Sequence, residues 1–300
     1  MRLGIDLGGT KVEAVILGDD GSIIWRERQS TPRHDYRSII ATLNTLISNG
    51  KAETGFDGPV GMGIPGSIHP QTGLVRGANT QVLNGQNLKA DCEAATGRPF
   101  MIENDANCFV LSEAVDGAAA GHETVFGVIL GTGCGGGIVA HGKPLSGGNN
   151  LAGEWGHTPL PWPLETEYDG HECWCGQTGC LETFLSGTAV SADYETRTGE
   201  KIGVEEIAAR TATDLVAESV LQVLEDRLAR ALGQIISFID PDAIVLGGGL
   251  SNLDRLYTAV PRKWNRYVFT NDAQTPLLKP AYGDSSGVRG AAWLWPDAGP

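Results

Sequence analysis

Three hundred residues exceed the usual size of one domain and can bury two cores, and a formal net charge of −14 opposes sequence-independent binding to nucleic acid or to anionic membranes. The amino terminus lacks the apolar stretch of a signal peptide and no window approaches the ~20 apolar residues that span a bilayer, so a cytoplasmic protein with a small-molecule partner is expected. In that compartment the 6 cysteines stay reduced.

The chain opens on an alternating strand at 2–6, a Gly8-Gly9 turn, a second strand at 12–17, a turn at 19–21 and a third strand at 22–28. Tyr36, Ile39, Ile40, Leu43, Leu46 and Ile47 fall at helical spacing, and Asn49-Gly50 is read as the close of that helix. A strand at 60–64, a helix near 88–95, a strand at 100–102 and a helix at 105–114 complete a first lobe. The opening device then recurs as a strand at 125–130, a Gly131-Thr132-Gly133 turn and a returning strand at 137–140, which implies two related halves. The second half continues with a long helix at 216–239, a strand at 243–246, Gly247-Gly248-Gly249, a helix from Asn252 and a last helix over 288–294. The division expected is 1–118 and 119–285, with a terminal helix at about 286–300 packing back on the first lobe.

Asp6-Leu7-Gly8-Gly9-Thr10-Lys11 places a carboxylate at a strand end, followed by amides, a hydroxyl and an ammonium. Asp6 suits magnesium or its waters, and the amides with Thr10 suit phosphate oxygens; a tight hairpin with an incidental aspartate explains the same six residues equally well. Gly131-Thr132-Gly133-Cys134-Gly135-Gly136 matches the glycine string of dinucleotide-binding folds, but those need a helix directly after it, and residues 137–140 read as a strand. A second phosphate clamp is the better reading. Gly247-Gly248-Gly249 is either an adenosine-contacting loop or a plain strand-to-helix turn.

Cys173, Cys175 and Cys180 lie within eight residues among glycines, the donor set of a structural zinc site that one imidazole would complete. His157 and His171 are the candidates for that fourth ligand. Asn104 and Asp105 stand at the start of a helix, where either residue type caps well; an aspartate there equally suits a base beside an attacking hydroxyl.

These motifs, with Gly63-Ile64-Pro65-Gly66, Asn104-Asp105-Ala106-Asn107, Glu154-Trp155-Gly156-His157 and Cys173 through Glu182, resemble the ROK family of sugar kinases over nearly the whole chain. The resemblance implies an α/β, two-lobed, actin-like fold of duplicated ribonuclease-H-like halves, with ATP and Mg2+ bound between the lobes. It implies Asp105 as catalytic base, and Asn79, Asn104, Glu154, His157 and Glu182 on sugar hydroxyls. It also assigns His157 to a structural Zn2+ with Cys173, Cys175 and Cys180, and homodimers are common in the family.

The segment from Glu154 to Trp162 and the closing one from Gly283 to Pro296 look most like bacterial fructokinases. The expected reaction is therefore phosphorylation of a hexose 6-hydroxyl, D-fructose to fructose 6-phosphate, with mannose or glucose as further substrates. N-acetylhexosamine kinase or glucokinase activity is the alternative. A sugar-sensing regulator is disfavoured because the phosphate loop begins at residue 6, ahead of which no DNA-binding domain fits. A motor or chaperone of the actin and Hsp70 type would lack Glu154, His157 and the cysteines.

Overall fold

The structure, a computed structural model, describes residues 1–295. Strands β1 (Arg2–Leu7), β2 (Lys11–Leu17) and β3 (Ile23–Ser30) form an antiparallel meander, and β4 (Val60–Ile64) and β7 (Phe100–Asn104) extend it in parallel from β1, with β5 (Ser67–Ile68) and β6 (Val75–Arg76) as a separate hairpin. The sheet order is β3-β2-β1-β4-β7. A second sheet has the order β10-β9-β8-β11-β12, from β8 (Thr124–Leu130), β9 (Cys134–Ala140), β10 (Lys143–Pro144), β11 (Ala243–Gly247) and β12 (Leu277–Leu278), with β8, β11 and β12 parallel. Each sheet thus starts from a strand, a glycine turn and a returning strand, then adds parallel neighbours to the first strand. This is the duplicated, actin-like α/β architecture.

The chain divides into two compact units, but not at one boundary: the first holds Met1–Glu123, Gly137–Ala152 and the described residues from Ala281 onward, and the second holds Thr124–Gly136 and Gly153–Pro280. Residues 137–152, expected in the second lobe, belong to the first unit.

In the first unit, Leu3, Ile5, Leu7, Val12, Ala14 and Ile16 are buried with Ile39, Leu43, Leu46 and Ile47 of the helix Tyr36–Thr54. Asp35 starts that helix by accepting from the Arg37 and Ser38 N–H groups. It does not stop at Asn49-Gly50 but runs a further turn to a left-handed Gly55. Gly50 is there for packing: a Cβ would sit 3.0 Å from Ile16 and 3.1 Å from Trp25.

The terminal helix, Ser286–Trp293, lies on glycine-thinned strands of the same unit. A Cβ on Gly4 would come within 2.3 Å of Val288 O, one on Gly61 within 1.8 Å of Ala291 O, and one on Gly290 within 1.6 Å of Cys108 O. A larger residue at Gly4 or Gly61 would push the helix off the sheet, and one at Gly290 would push it off the helix that holds Cys108. Trp293 donates to Asp116 and Trp295 to Val60 O, so both indoles are held inside this unit. Residues 296–300 of the expected terminal helix lie outside the described residues.

In the second unit the long helix is Leu215–Ile239, capped by Asp214. The turn at 247–249 leads into a single 3-10 turn, Gly249–Asn252, and the helix expected from Asn252 begins only at Leu256. Helices Gly187–Thr198 and Val204–Arg210 were not foreseen. Among the described residues no helix is long and apolar enough to cross a membrane.

Candidate active site

Because β1, β4 and β7 run parallel, their carboxyl ends fall on one edge: Asp6 registers with Gly63, and Gly63 with Glu103. Asp105 is the first residue of the helix Asp105–Val115 that follows β7. The first turn of that helix packs on Gly63, where a Cβ would crowd Cys108 Sγ at 3.2 Å and would lie at ordinary contact distance, 3.8 Å, from Asp105 Cα. Burial pushes the Asp6 carboxyl up to about 7, and the charges of Asp105 and Glu13 push the same way against Lys11 and Arg28.

The cap of the Asp105–Val115 helix is Asn104, whose Oδ1 accepts from Ala106 N at 2.8 Å and Asn107 N at 3.4 Å while its Nδ2 donates to Gly66 O at 3.0 Å. Asp105 is exposed, and its Oδ1 accepts from Ala106 N at 2.8 Å. The capping role therefore falls to Asn104. Asn79 is exposed beside the first glycine turn, with its Oδ1 3.8 Å from where a Gly9 Cβ would stand. Asn84 fixes that segment by exchanging two hydrogen bonds with the Ala78 backbone, a role with no local sequence signal.

Both glycine turns close through the amide of their first glycine, the first turn across three residues and the second across two. Gly8 N–H donates to Lys11 O, and Gly131 N–H donates to Gly133 O, each at 3.0 Å. The first glycine amide of each turn is thus spent on closing the hairpin, and the amides after it carry the phosphate expectation. Thr31 pins the first turn, its hydroxyl on Gly8 O and its N–H on Thr10 O. The second turn is pinned by Gly187 N–H on Gly131 O at 2.7 Å and by the Thr188 hydroxyl on Thr132 O at 2.9 Å.

In the second unit Gly131, Thr132, Thr188, Lys201, Gly249 and Asn252 line a cavity of about 800 Å³. Of the expected 247–249 trio, Gly249 lines it, whereas Gly247 is buried in β11. Ser186-Gly187-Thr188 was missed in the sequence; its signal is a capping serine followed by glycine at a helix start.

Trp155 explains the other glycines of the 131–136 string. Its Nε1 donates to Gly135 O at 2.7 Å, and its ring stands where a Gly136 Cβ would be, 2.6 Å away. Gly135 thus accepts from the indole N–H, and Gly136 leaves room for the indole ring. Glu154 is exposed at the head of the 3-10 turn Trp155–His157. Glu182 Oε2 accepts from Cys134 N at 3.0 Å, and the Cys173 thiol lies 3.8 Å from Glu182 Oε1.

His157, Cys173, Cys175 and Cys180 bring one ligand atom each within 4.8 Å of one another. Cys173 Sγ is 3.5 Å from His157 Nδ1 and Cys175 Sγ 3.6 Å from Cys180 Sγ. A tetrahedron with metal–sulfur bonds of about 2.3 Å has edges of about 3.8 Å, so three thiols and an imidazole so placed fit zinc. His171 is outside the cluster, its ring 5.9 Å from that of Phe184. The His157 ring meets Trp174 edge-on at 5.1 Å.

Residues 2–298 match the ROK family. The N-acetyl-D-glucosamine kinase of Pasteurella multocida (strain Pm70) is 39% identical over 98% of this chain and 99% of its own, and that of Vibrio cholerae serotype O1 (strain ATCC 39315 / El Tor Inaba N16961) is 38% identical over 98% of this chain and 99% of its own. The crystal structure of a ROK hexokinase from Thermus thermophilus superposes with a TM-score of 0.86 at 30% identity, covering 98% of this chain and 97% of that one. Both of these curated relatives are N-acetyl-D-glucosamine kinases, so they support a sugar kinase and do not bear out the expected kinship with fructokinases. Matched from end to end in sequence and in fold, this chain belongs to the ROK family of sugar kinases.

Proposed function

We propose that this chain is an ATP-dependent N-acetyl-D-glucosamine kinase that phosphorylates the sugar 6-hydroxyl. The observation that carries the reading is the 39% identity to the Pasteurella multocida enzyme over 98% of this chain. It favours the N-acetylhexosamine alternative over D-fructose.

In the first unit, Asp105 takes the proton of the attacking hydroxyl as the phosphoryl group arrives, a task of positioning more than of proton affinity. Asn79 and Asn104 orient the sugar, and Asp6 holds magnesium or its waters. Magnesium, when bound with ATP, neutralises charge on the phosphates. In the second unit, the amides of 132 and 133 with Thr132 and Gly249 serve the nucleotide, and Glu154, His157 and Glu182 serve sugar hydroxyls. His157, Cys173, Cys175 and Cys180 would hold a zinc ion with four protein donors, a set that would give the metal a structural task rather than a water to activate.

The test is phosphorylation with ATP and magnesium across N-acetylglucosamine, N-acetylmannosamine, glucose, mannose and fructose. N-acetylglucosamine should exceed fructose in kcat/KM by about a hundredfold or more, because a site built to pair with an amide leaves polar groups unpaired when it is missing. A preference for fructose, or phosphate on another oxygen by NMR, would overturn the reading.

A further inference from the structure

Glu103 directly precedes the Asn104-Asp105 pair, and no role above uses it. Its half-buried carboxylate accepts three hydrogen bonds: Oε1 takes the Asn104 backbone N–H at 2.8 Å and Asn107 Nδ2 at 3.0 Å, and Oε2 takes the Ser146 hydroxyl. The donors come from the end of β7, from the first turn of the following helix, and from the strap 145–150 after β10. The strap is tied down twice more, by Asn150 Nδ2 donating to Ile68 O at 2.8 Å and by Arg76 donating to Asn149 O. Ile68 and Arg76 belong to the β5–β6 hairpin, and Gly66, just before that hairpin, accepts from Asn104 Nδ2.

The connections close a ring: Asn104 to Gly66, hairpin to strap, Ser146 to Glu103, and Glu103 back to the Asn104 amide. Every link in it lies in the first unit. We infer that Glu103 is a positioning residue for phosphoryl transfer, using one carboxylate to couple the strap through Ser146 to the peptide that carries Asp105. The two oxygens of one carboxyl cannot move independently, so displacing the strap displaces the Asn104 N–H and with it the start of the Asp105 helix. A misplacement of about 1 Å is enough to cost about a hundredfold in rate. The inference rests on Asp105 being the base.

Ser146→Ala opens the ring at one hydroxyl and leaves the Asn104 and Asn107 bonds to Glu103 intact. It should lower kcat/KM for the sugar about tenfold, the order of one hydrogen bond to a charged group, with the ATP KM and thermal midpoint unchanged. Glu103→Ala should lower kcat about a hundredfold. Glu103→Gln should recover most of that loss, since its carbonyl still accepts from Asn104 and Asn107 and its amide can donate to Ser146 Oγ. Should the alanine variant not fold, Ser146→Ala decides alone. Wild-type sugar kinetics in Ser146→Ala, equal rises in the sugar and ATP KM values, or a glutamine variant as impaired as alanine would each overturn the inference. Asp105→Asn run beside them separates the two ideas: an inactive Asp105→Asn with an unaffected Ser146→Ala sinks the coupling alone, whereas full turnover by Asp105→Asn removes the base and this inference with it.

Discussion

Two carboxylates taken out of water meet opposite fates in the two units. Burial works to keep Glu167 protonated, yet hydrogen bonds from Arg230 and Arg227 and from the Leu164 N–H outweigh it and hold the group down at about 2. Arg230 also donates to Trp162 O at 2.8 Å, so this ion cluster pins one end of the segment whose other end carries the cysteines. Asp6 is pushed the other way, to about 7, by burial and by the neighbouring charges of Asp105 and Glu13. Charge in the scaffold is compensated by the protein itself. Charge at the end of β1 is aggravated by like charge, as expected where a cation arrives with the substrate.

The largest expected effect breaks the acidic side of this contrast. Asp105→Asn keeps the shape of the side chain but cannot accept a proton, so turnover should fall about a thousandfold while sugar and ATP still bind by calorimetry. Because the Asp105 charge is one of the causes raising Asp6, the same substitution should move the Asp6 titration below that of the wild type in carboxyl NMR. Turnover near the wild-type value would remove Asp105 as base.

On the compensated side, three thiols and an imidazole form a donor set suited to zinc. Metal analysis should find about one zinc per chain, and Cys175→Ser should lose it. The thermal midpoint should drop and the sugar KM rise several-fold, with ATP affinity unaffected. The loss stays partial because the Glu167 cluster still anchors residues 162–167. A zinc-free protein of equal stability and equal sugar KM would reject the site.

What the sequence disclosed and what it withheld divide along the same physical line. The opening meander and both glycine turns were legible because alternation and paired glycines are local signals, and the cysteine spacing stood out by its chemistry, whereas Asp6 and Asp105 were even with a hairpin and a helix cap until the family resemblance was weighed. Asn49-Gly50 was misread because a glycine that makes room for Trp25 looks the same in sequence as one that ends a helix. Gly135 and Gly136 completed a dinucleotide-like string in the sequence, whereas in the fold they accommodate Trp155, some twenty residues on. The choice between His157 and His171 needed three dimensions. Glu103 and Ser146 gave no signal at all, since neither residue type is informative until the strap is laid beside the end of β7. The sugar itself turns on contacts to its substituents, which no motif spells out.

The smallest effect has the most telling sign. Asp6 has an ordinary carboxyl value of 3.8 in the unfolded chain and about 7 in the folded one. Between those values the native state keeps a proton that the unfolded state has lost, so native stability falls as pH rises through that window and the full penalty is present above about 7. Asp6→Asn removes the penalty. In protein free of nucleotide and divalent ions, its thermal midpoint should exceed the wild type at pH 8, with the gap closing toward pH 4. Three pH units set a ceiling on the order of 4 kcal/mol, which residual hydration and relaxation will reduce. With magnesium and ATP present the order should reverse, because the carboxylate then gains the cation it lacks and the amide cannot replace it. The variant should also need more magnesium for half-maximal activity. A midpoint difference that does not change with pH would show that Asp6 ionises as an ordinary carboxylate, and an unchanged magnesium requirement would remove it from the metal's surroundings.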